Sequence, residues 1–372
     1  MQMNIEWKIP MNSFKVPRIR FKVFDCVWVE NRIADIVKIS AGGDVDKVRL
    51  KESGKYPVIA NALTNKGIVG FYDDYKMKAP AVTVTGRGDV GYAVARHENF
   101  TPVVRLLTLQ SENIDVDYLE NQINSMRILN ESTGVPQLTA PQLGNYKVYH
   151  PEIEEQSAIG SLFRTLDDLI ASYKDNLANY QSLKETMLSK MFPKAGQTVP
   201  EIRLDGFEGE WERKSLSEVC TINSGRDYKH LKNGDIPVYG TGGYMLSVNE
   251  KLSDEDAIGI GRKGTINKPY LLSAPFWTVD TLFYVICKVG YDLNYLFLIF
   301  QKIRWKKFDE STGVPSLSKK TIEKVVSKFP SYEEQRSIGL YFSNLDNLIN
   351  SHQEKISQLE TLKKKLLQDM FI

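Results

Sequence analysis

The stretch STGVPQL (132–138) returns as STGVPSL (311–317), 179 positions later in a chain of 372 residues. A spacing close to half the length asks for an internal repeat before any other reading. Carried onward at the same offset, the match holds. Glu154-Glu155-Gln156 meets Glu333-Glu334-Gln335, Ile159-Gly160 meets Ile338-Gly339, Leu166-Asp167 meets Leu345-Asp346, and Met191-Phe192 meets Met370-Phe371. From 154 to 192 there are sixteen identities and no gap. The repeat also has a start. PRIRFKVFDCVWVENRIADIVKI (17–39) aligns with PEIRLDGFEGEWERKSLSEVCTI (200–222), pairing Pro17 with Pro200, Arg20 with Arg203, Phe24 with Phe207 and Trp28 with Trp211. The middles, roughly 40–130 and 223–310, agree poorly. Two copies of one plan follow, each with a divergent body and a closely similar tail.

The tails have helical periodicity. Ile159, Phe163, Leu166, Ile170, Tyr173, Leu177 and Tyr180 fall at alternating steps of four and three, and so do Ile338, Phe342, Leu345, Ile349, His352, Ile356 and Leu359. That is a heptad seam. Pro151 and Pro330 open the two segments, and Ser331 with Glu334 forms a capping-box pattern. About 38 residues at roughly 1.5 Å each give a rod of around 55 Å. A seam of that length must be buried, and the other copy offers one of the same character. The two helices are expected to pair antiparallel through Ile159, Phe163, Leu166, Ile170, Leu177, Ile338, Phe342, Leu345, Ile349 and Ile356, with a body at each end of a dumbbell. The alternative is two unrelated helices, each packed on its own domain.

The bodies show strand-like runs: AVTVT (81–85), YAVAR (92–96), PVVRLLTL (102–109) and DTLFYVICKV (280–289). Helix-like sequence closes each, DVDYLENQINSMRIL (115–129) and DLNYLFLIFQKIRWKKF (292–308). The fold class is α+β, with two pseudo-repeated bodies and two long helices. The repeated phrase makes a restricted turn with exposed N–H groups and hydroxyls. It suits a phosphate rest and a structural corner equally well.

Both bodies contain GxGxxG, as GRGDVG (86–91) and GIGRKG (259–264). A dinucleotide fold would follow it with a helix, whereas YAVARHE and TINKPYLL are strand or loop sequence, and GRKGT lacks the GK[ST] of a P-loop. The better reading is a Gly-rich hairpin presenting Arg87 in one copy and Arg262 with Lys263 in the other, able to fork to a phosphate or a guanine edge. Its alternative is a solvated turn. Lys302, Arg304, Lys306 and Lys307 around Trp305, with Lys319, Lys320, Arg226, Tyr228 and Lys229, support a polyanion partner more weakly.

A net charge of +2 permits such a partner without announcing it. Three scattered cysteines (Cys26, Cys220, Cys287) form no CxxC pair and suit a reducing cytosol. YLFLIF (295–300) is too short to span a bilayer, and MQMNIEWKIP does not have the pattern of a signal peptide. The four histidines make no HExxH, no GxSxG is present, and no Asn-Pro-Pro-aromatic motif of an amino-methyltransferase occurs. The expectation is a soluble cytoplasmic reader with no catalytic residue and no metal site.

A divergent body, STGVPQL, an EEQ…I…LD.LI helix and then PEIRLDGFEGEWERKSLSEV opening a second body together resemble the specificity subunit of type I restriction-modification systems. The resemblance covers nearly the whole chain from Pro17. It implies target recognition domains at 1–150 and 194–330, and conserved spacer helices at 151–193 and 331–372. Each domain would read one half of a split double-stranded DNA target. The coiled coil would set the gap and dock two modification (methyltransferase) subunits, with restriction/translocase subunits completing the complex. S-adenosylmethionine, ATP and magnesium would belong to those partners. On this chain Arg87, Arg262 and Lys263 are the candidate DNA contacts, with Thr133, Gly134, Thr312 and Gly313 as weaker ones. Residues 1–16 have no counterpart in the second copy. The competing reading is a coiled-coil adaptor that binds only proteins, and a self-contained enzyme stands third.

Overall fold

The structure is a computed structural model that describes residues 16–128 and 136–371. It divides into two compact units: residues 1–175 with 354–372, and residues 176–353. Both boundaries fall inside the long helices.

In the first unit the strands are β1 (Val29–Arg32), β2 (Lys38–Ala41), β3 (Tyr56–Ile59), β4 (Ile68–Tyr72), β5 (Ala81–Val84), β6 (Ala93–Arg96), β7 (Thr101–Pro102), β8 (Leu107–Gln110) and β9 (Lys147–His150). They form an antiparallel four-stranded sheet β2-β8-β5-β6, a three-stranded sheet β4-β3-β7 and the pair β1-β9. Helices α1 (Ile33–Ile36), α2 (Val116–Ser125) and α3 (Ala140–Gly144) precede the long α4 (Ile153–Lys190). The second unit repeats the plan with β10 (Glu212–Ser215), α5 (Leu216–Val219), β11 (Cys220–Ser224), β12 (Asn233–Gly240), β13 (Gly243–Val248), β14 (Ala257–Gly261), β15 (Tyr270–Leu272), β16 (Trp277–Thr278) and β17 (Leu282–Cys287). Helices α6 (Leu293–Lys302) and α7 (Lys319–Lys324), strand β18 (Val326–Phe329) and the long α8 (Tyr332–Asp369) complete it. Its sheets are β11-β17-β14-β15, β13-β12-β16 and β10-β18, the same three in the same connectivity. Poorly matched sequences thus build one topology, because central strands such as β5 and β14, buried on both faces, need short apolar runs and not particular side chains.

Two sequence expectations change. PVVRLLTL is not one strand: it is β7, a turn and β8, broken where Val104 and Arg105 take φ of 52° and 59°. The turn lets β7 pair parallel with β3 while β8 pairs antiparallel with β2 and β5, which one straight strand could not do. Nor is GIGRKG a hairpin loop throughout. Gly259, Ile260 and Gly261 lie buried in β14, and only Arg262 onward is loop.

The long helices are 38 residues each. Within the first unit, Lys174 pairs with Glu360 at 2.6 Å, Asp167 with Lys363 at 2.6 Å, and the Phe163 and Phe371 rings lie 5.7 Å apart. Falling numbers on one helix meet rising numbers on the other, so the packing is antiparallel. Within the second unit the same order holds for Lys184 with Asp346 at 2.5 Å, the Tyr180 and His352 rings at 5.1 Å, and Phe192 with Phe342 at 6.4 Å. Ile159, Phe163, Leu166 and Ile170 join Leu359, Leu366, Met370 and Phe371 in one core, and Ile338, Phe342 and Leu345 join Met191 and Phe192 in another. Ile349 and Ile356 are buried, and Leu177 is half-buried.

The identities shared by the tails now have physical roles. Glu155 takes both ends of the Arg20 guanidinium at 2.6 and 2.7 Å, and Glu334 takes Arg203 at 2.8 and 2.7 Å. Gln156 accepts from the backbone N–H of Asp115, and Gln335 from that of Asp292, while their amides donate to the carbonyls of Pro151 and Pro330. Asp115 and Asp292 in turn cap α2 and α6, each accepting from the backbone N–H of Tyr118 or Tyr295 at 2.9 Å.

Gly160 and Gly339 sit where the long helices touch those caps. A Cβ there would stand 2.4 Å from Asp115 Oδ1 or 2.5 Å from Asp292 Oδ1. Gly339→Ala is therefore expected to displace the cap and destabilise the second unit by about 2–3 kcal/mol, adding a lost cap to overpacking. Urea melts followed by fluorescence of Trp211 and Trp305 would detect it, and a loss under about 0.5 kcal/mol would deny the close approach.

Candidate nucleic-acid interface

In the first body the β5–β6 hairpin carries Gly86, Arg87 and Gly88. The end of the repeated phrase runs antiparallel beside it. Leu138 N–H donates to Gly86 O at 2.9 Å, Gly88 N–H donates to Pro136 O at 3.2 Å, and Arg87 bridges to Gln137. In the second body, Leu317 N–H donates to Arg262 O at 2.9 Å, Gly264 N–H donates to Pro315 O at 2.8 Å, and Lys263 bridges to Ser316. Gly88 and Gly264 have φ of 77° and 94°, which glycine adopts without strain. Buried Leu138 and Leu317 anchor the phrase from below.

This clamp sets the equivalence between copies. Arg87 corresponds to Lys263, and Gly86 to Arg262. The GxGxxG strings are therefore not structural counterparts, although each body does present cations at one hairpin. Arg87, Arg262 and Lys263 are exposed, and Arg262 lies 5.9 Å from the centre of the Phe283 ring. Arg262, Lys263 and Lys319 line an open groove of about 490 Å³ with Ser316, Ser318 and Glu310. Such a groove offers an anion three cations and hydroxyl donors, with a single carboxylate to keep away from.

Thr312 and Gly313 are exposed at the crest of the phrase, with open space around Gly313. Thr133 and Gly134 lie outside the described residues. Asp309 organises the second crest: its Oδ1 accepts from Ser311 N–H at 3.0 Å, Ser316 N–H at 2.9 Å and Ser311 Oγ at 2.8 Å. The backbone bonds from Ser316 and Ser311 hold its carboxyl below the usual carboxylate range. With the folded value depressed, its contribution is present above the unfolded carboxyl pKa and is lost as pH falls through the lower folded value. Acidification below about pH 4 is expected to free this loop. Raised hydrogen exchange at the Ser311 and Ser316 amides, already high at neutral pH in Asp309→Ala, would show it; unchanged exchange in that variant would refute the role.

The weaker basic positions divide. Lys302 has a structural contact: exposed overall, it lies 4.7 Å from the Phe192 ring centre and donates to Leu188 O, and partial desolvation lowers its pKa. Trp305 is buried and donates to Phe300 O. Lys306, Lys307, Lys320, Arg226 and Lys229 are exposed. Among the described residues no three His, Cys, Asp or Glu side chains gather as metal ligands, and no helix is long and apolar enough to cross a membrane.

The sequence pattern of the type I restriction modification DNA specificity domain matches residues 27–179 and again 208–361. The chain belongs to that family. It carries two copies of the specificity domain, each comprising a body and most of one long helix. Among its relatives, a Mycoplasma pneumoniae chain named as a type I specificity subunit is 21% identical over 353 residues, 90% of this chain and 94% of that one. The MjaVIII specificity subunit of a type I restriction enzyme from Methanocaldococcus jannaschii is 22% identical over 277 residues, 64% of either chain. The crystal structure of a type I restriction-modification S subunit from M. genitalium superposes with a TM-score of 0.73 over 98% of this chain and 99% of that one, at 18% identity, which establishes a common fold.

Proposed function

We propose that each specificity domain reads one half of a split double-stranded DNA target through its Gly-rich hairpin and the crest of the repeated phrase. The observation that carries this reading is the shared clamp. Two bodies that agree in little else hold cations at one structural position, Arg87 and Lys263, on a backbone pinned by the same two hydrogen bonds. A rigid hairpin tip bearing Arg or Lys is suited to the major groove or to a phosphate. Divergence of the surrounding side chains is what two different half-targets require. The paired long helices would set the gap and offer docking faces for two modification subunits, and the catalytic chemistry, with S-adenosylmethionine, ATP and magnesium, would reside on those and on restriction subunits. The chain itself would be non-catalytic and act in the cytoplasm.

The test is selection from a pool of random duplexes by the full chain mixed with its candidate modification subunit, at two salt concentrations. Enrichment of a two-part site with a fixed gap is the expected result. Salt-dependent binding without sequence preference would reduce the hairpins to generic phosphate contacts, and no binding at either salt would favour the protein-only adaptor.

A further inference from the structure

The clamp leaves an asymmetry. In the second body two cations adjoin, Arg262 and Lys263. In the first, Arg87 matches Lys263, but glycine stands in place of Arg262. The turn between β7 and β8 lies against this spot. A Cβ on Gly86 would meet Arg105 O at 2.9 Å. In the second body the matching turn between β16 and β17 places Thr281 beside Arg262, whose N–H donates to Thr281 O at 2.8 Å. The turns share their closing bond, Leu106 N–H donating to Val103 O at 3.1 Å and Leu282 N–H donating to Val279 O at 3.0 Å, although only the first passes through left-handed residues. Arg105 therefore corresponds to Thr281. The arginine has changed sides of the same backbone contact: Gly86 with Arg105 in one body, Arg262 with Thr281 in the other.

The local geometry is built to hold Arg105 out. Val104 and Arg105 are consecutive left-handed residues, with φ of 52° and 59°. That conformation is unfavourable for any residue with a Cβ and more so for a β-branched one. Their N–H groups are fixed by Gly43 O at 2.7 Å and Gly42 O at 3.2 Å. Asn61 ties the turn to the hairpin, accepting from Gly86 N–H at 2.7 Å and donating to Val104 O. It takes the place of the direct backbone bond of the second body. The Arg105 side chain is exposed and has no hydrogen-bond or ion-pair partner among the described residues. Those backbone and Asn61 bonds hold the strained turn in place, while the Arg105 side chain is left facing outward, available to a ligand.

We propose that Arg105 is the second DNA-contacting cation of the first specificity domain, the counterpart of Arg262, with Asn61 as its positioning residue. The proposal rests on the reading of the hairpins as DNA-facing. Each domain then offers two cations at its hairpin, Arg87 with Arg105 from two loops in the first and Lys263 with Arg262 from one loop in the second. Guanidinium recognition of a guanine edge or a phosphate then falls at different points of the two half-sites, which lets one scaffold read different sequences.

Arg105→Gly separates function from fold, because glycine relieves the left-handed strain. The full chain with its modification subunit is titrated with duplexes drawn from the random pool, beside Arg105→Lys and Arg262→Ala. Arg105→Gly is expected to melt at or above the parent temperature, yet to bind about ten-fold more weakly and lose preference in one half-site only. Arg105→Lys should recover part of the affinity and not the preference if the contact is a bidentate base edge, and most of both if it is a phosphate. Arg262→Ala should affect the other half-site. If Arg262→Ala acts and Arg105→Gly does not, the assignment of Arg105 fails while the hairpins remain DNA-facing. If neither acts, both readings fail. A loss in Arg105→Gly that Arg105→Lys does not recover at all would assign the effect to the backbone and overturn the proposal.

Discussion

Phe192→Ala is expected to destabilise the second unit by about 3–5 kcal/mol, the range for truncating a well-packed core aromatic. Phe192 is the last identity of the repeat, just beyond the end of α4, and it is 5% exposed. Its ring stacks on Tyr295 at 5.5 Å and 21°, meets Trp211 edge-on at 5.8 Å and touches Phe342 at 6.4 Å. One side chain thus joins the end of one long helix, the start of the other and the body's own helix α6. Removing it opens a cavity among rigid rings that cannot collapse. The equivalent Phe371→Ala should act on the first unit, since Phe371 packs on Tyr118 at 5.5 Å and Phe163 at 5.7 Å. Guanidinium melts with tryptophan fluorescence would measure both, and a loss under about 1 kcal/mol in either would show that the aromatic clamp is not holding its body.

The double variant Arg262→Ala/Lys263→Ala carries the largest expected effect on binding. A good base or phosphate contact contributes about 1–3 kcal/mol, so losing two should weaken binding roughly 100-fold. The loss should fall on one half-site and leave the other intact. If one of the two contacts is a phosphate, the slope of log affinity against log salt should fall by about one. Both side chains are exposed, and Arg262 meets the core only at 5.9 Å over the Phe283 ring, so the melting temperature should stay within a degree or two of the parent. Unchanged affinity at an unchanged melting temperature would remove the second hairpin from the interface.

The repeat made much of this architecture legible before any coordinates. Heptad steps in a 38-residue tail require a helix with a seam, and two matched seams require each other, whatever the bodies do. The decoy GxGxxG could be set aside because the sequence after it has the wrong period for a helix. The roles of the repeated Glu-Glu-Gln, Ile-Gly and Leu-Asp pairs were not legible. Their partners, Arg20, Asp115 and Lys363 with their counterparts Arg203, Asp292 and Lys184, lie from about forty to nearly two hundred positions away. Nothing local in a sequence encodes such pairings.

The sequence by itself determined two copies, a long antiparallel helix pair and cationic hairpins, since each rests on short-range periodicity or on identity at a fixed offset. Only the tertiary structure decided that Arg87 answers Lys263 and not Arg262, because that register is set by backbone bonds to a phrase some fifty residues downstream. It alone brought out Arg105. In PVVRLLTL that arginine looks like an ordinary strand residue. It becomes a candidate contact because the chain turns through two left-handed residues between two sheets, and that turn comes to rest beside Gly86.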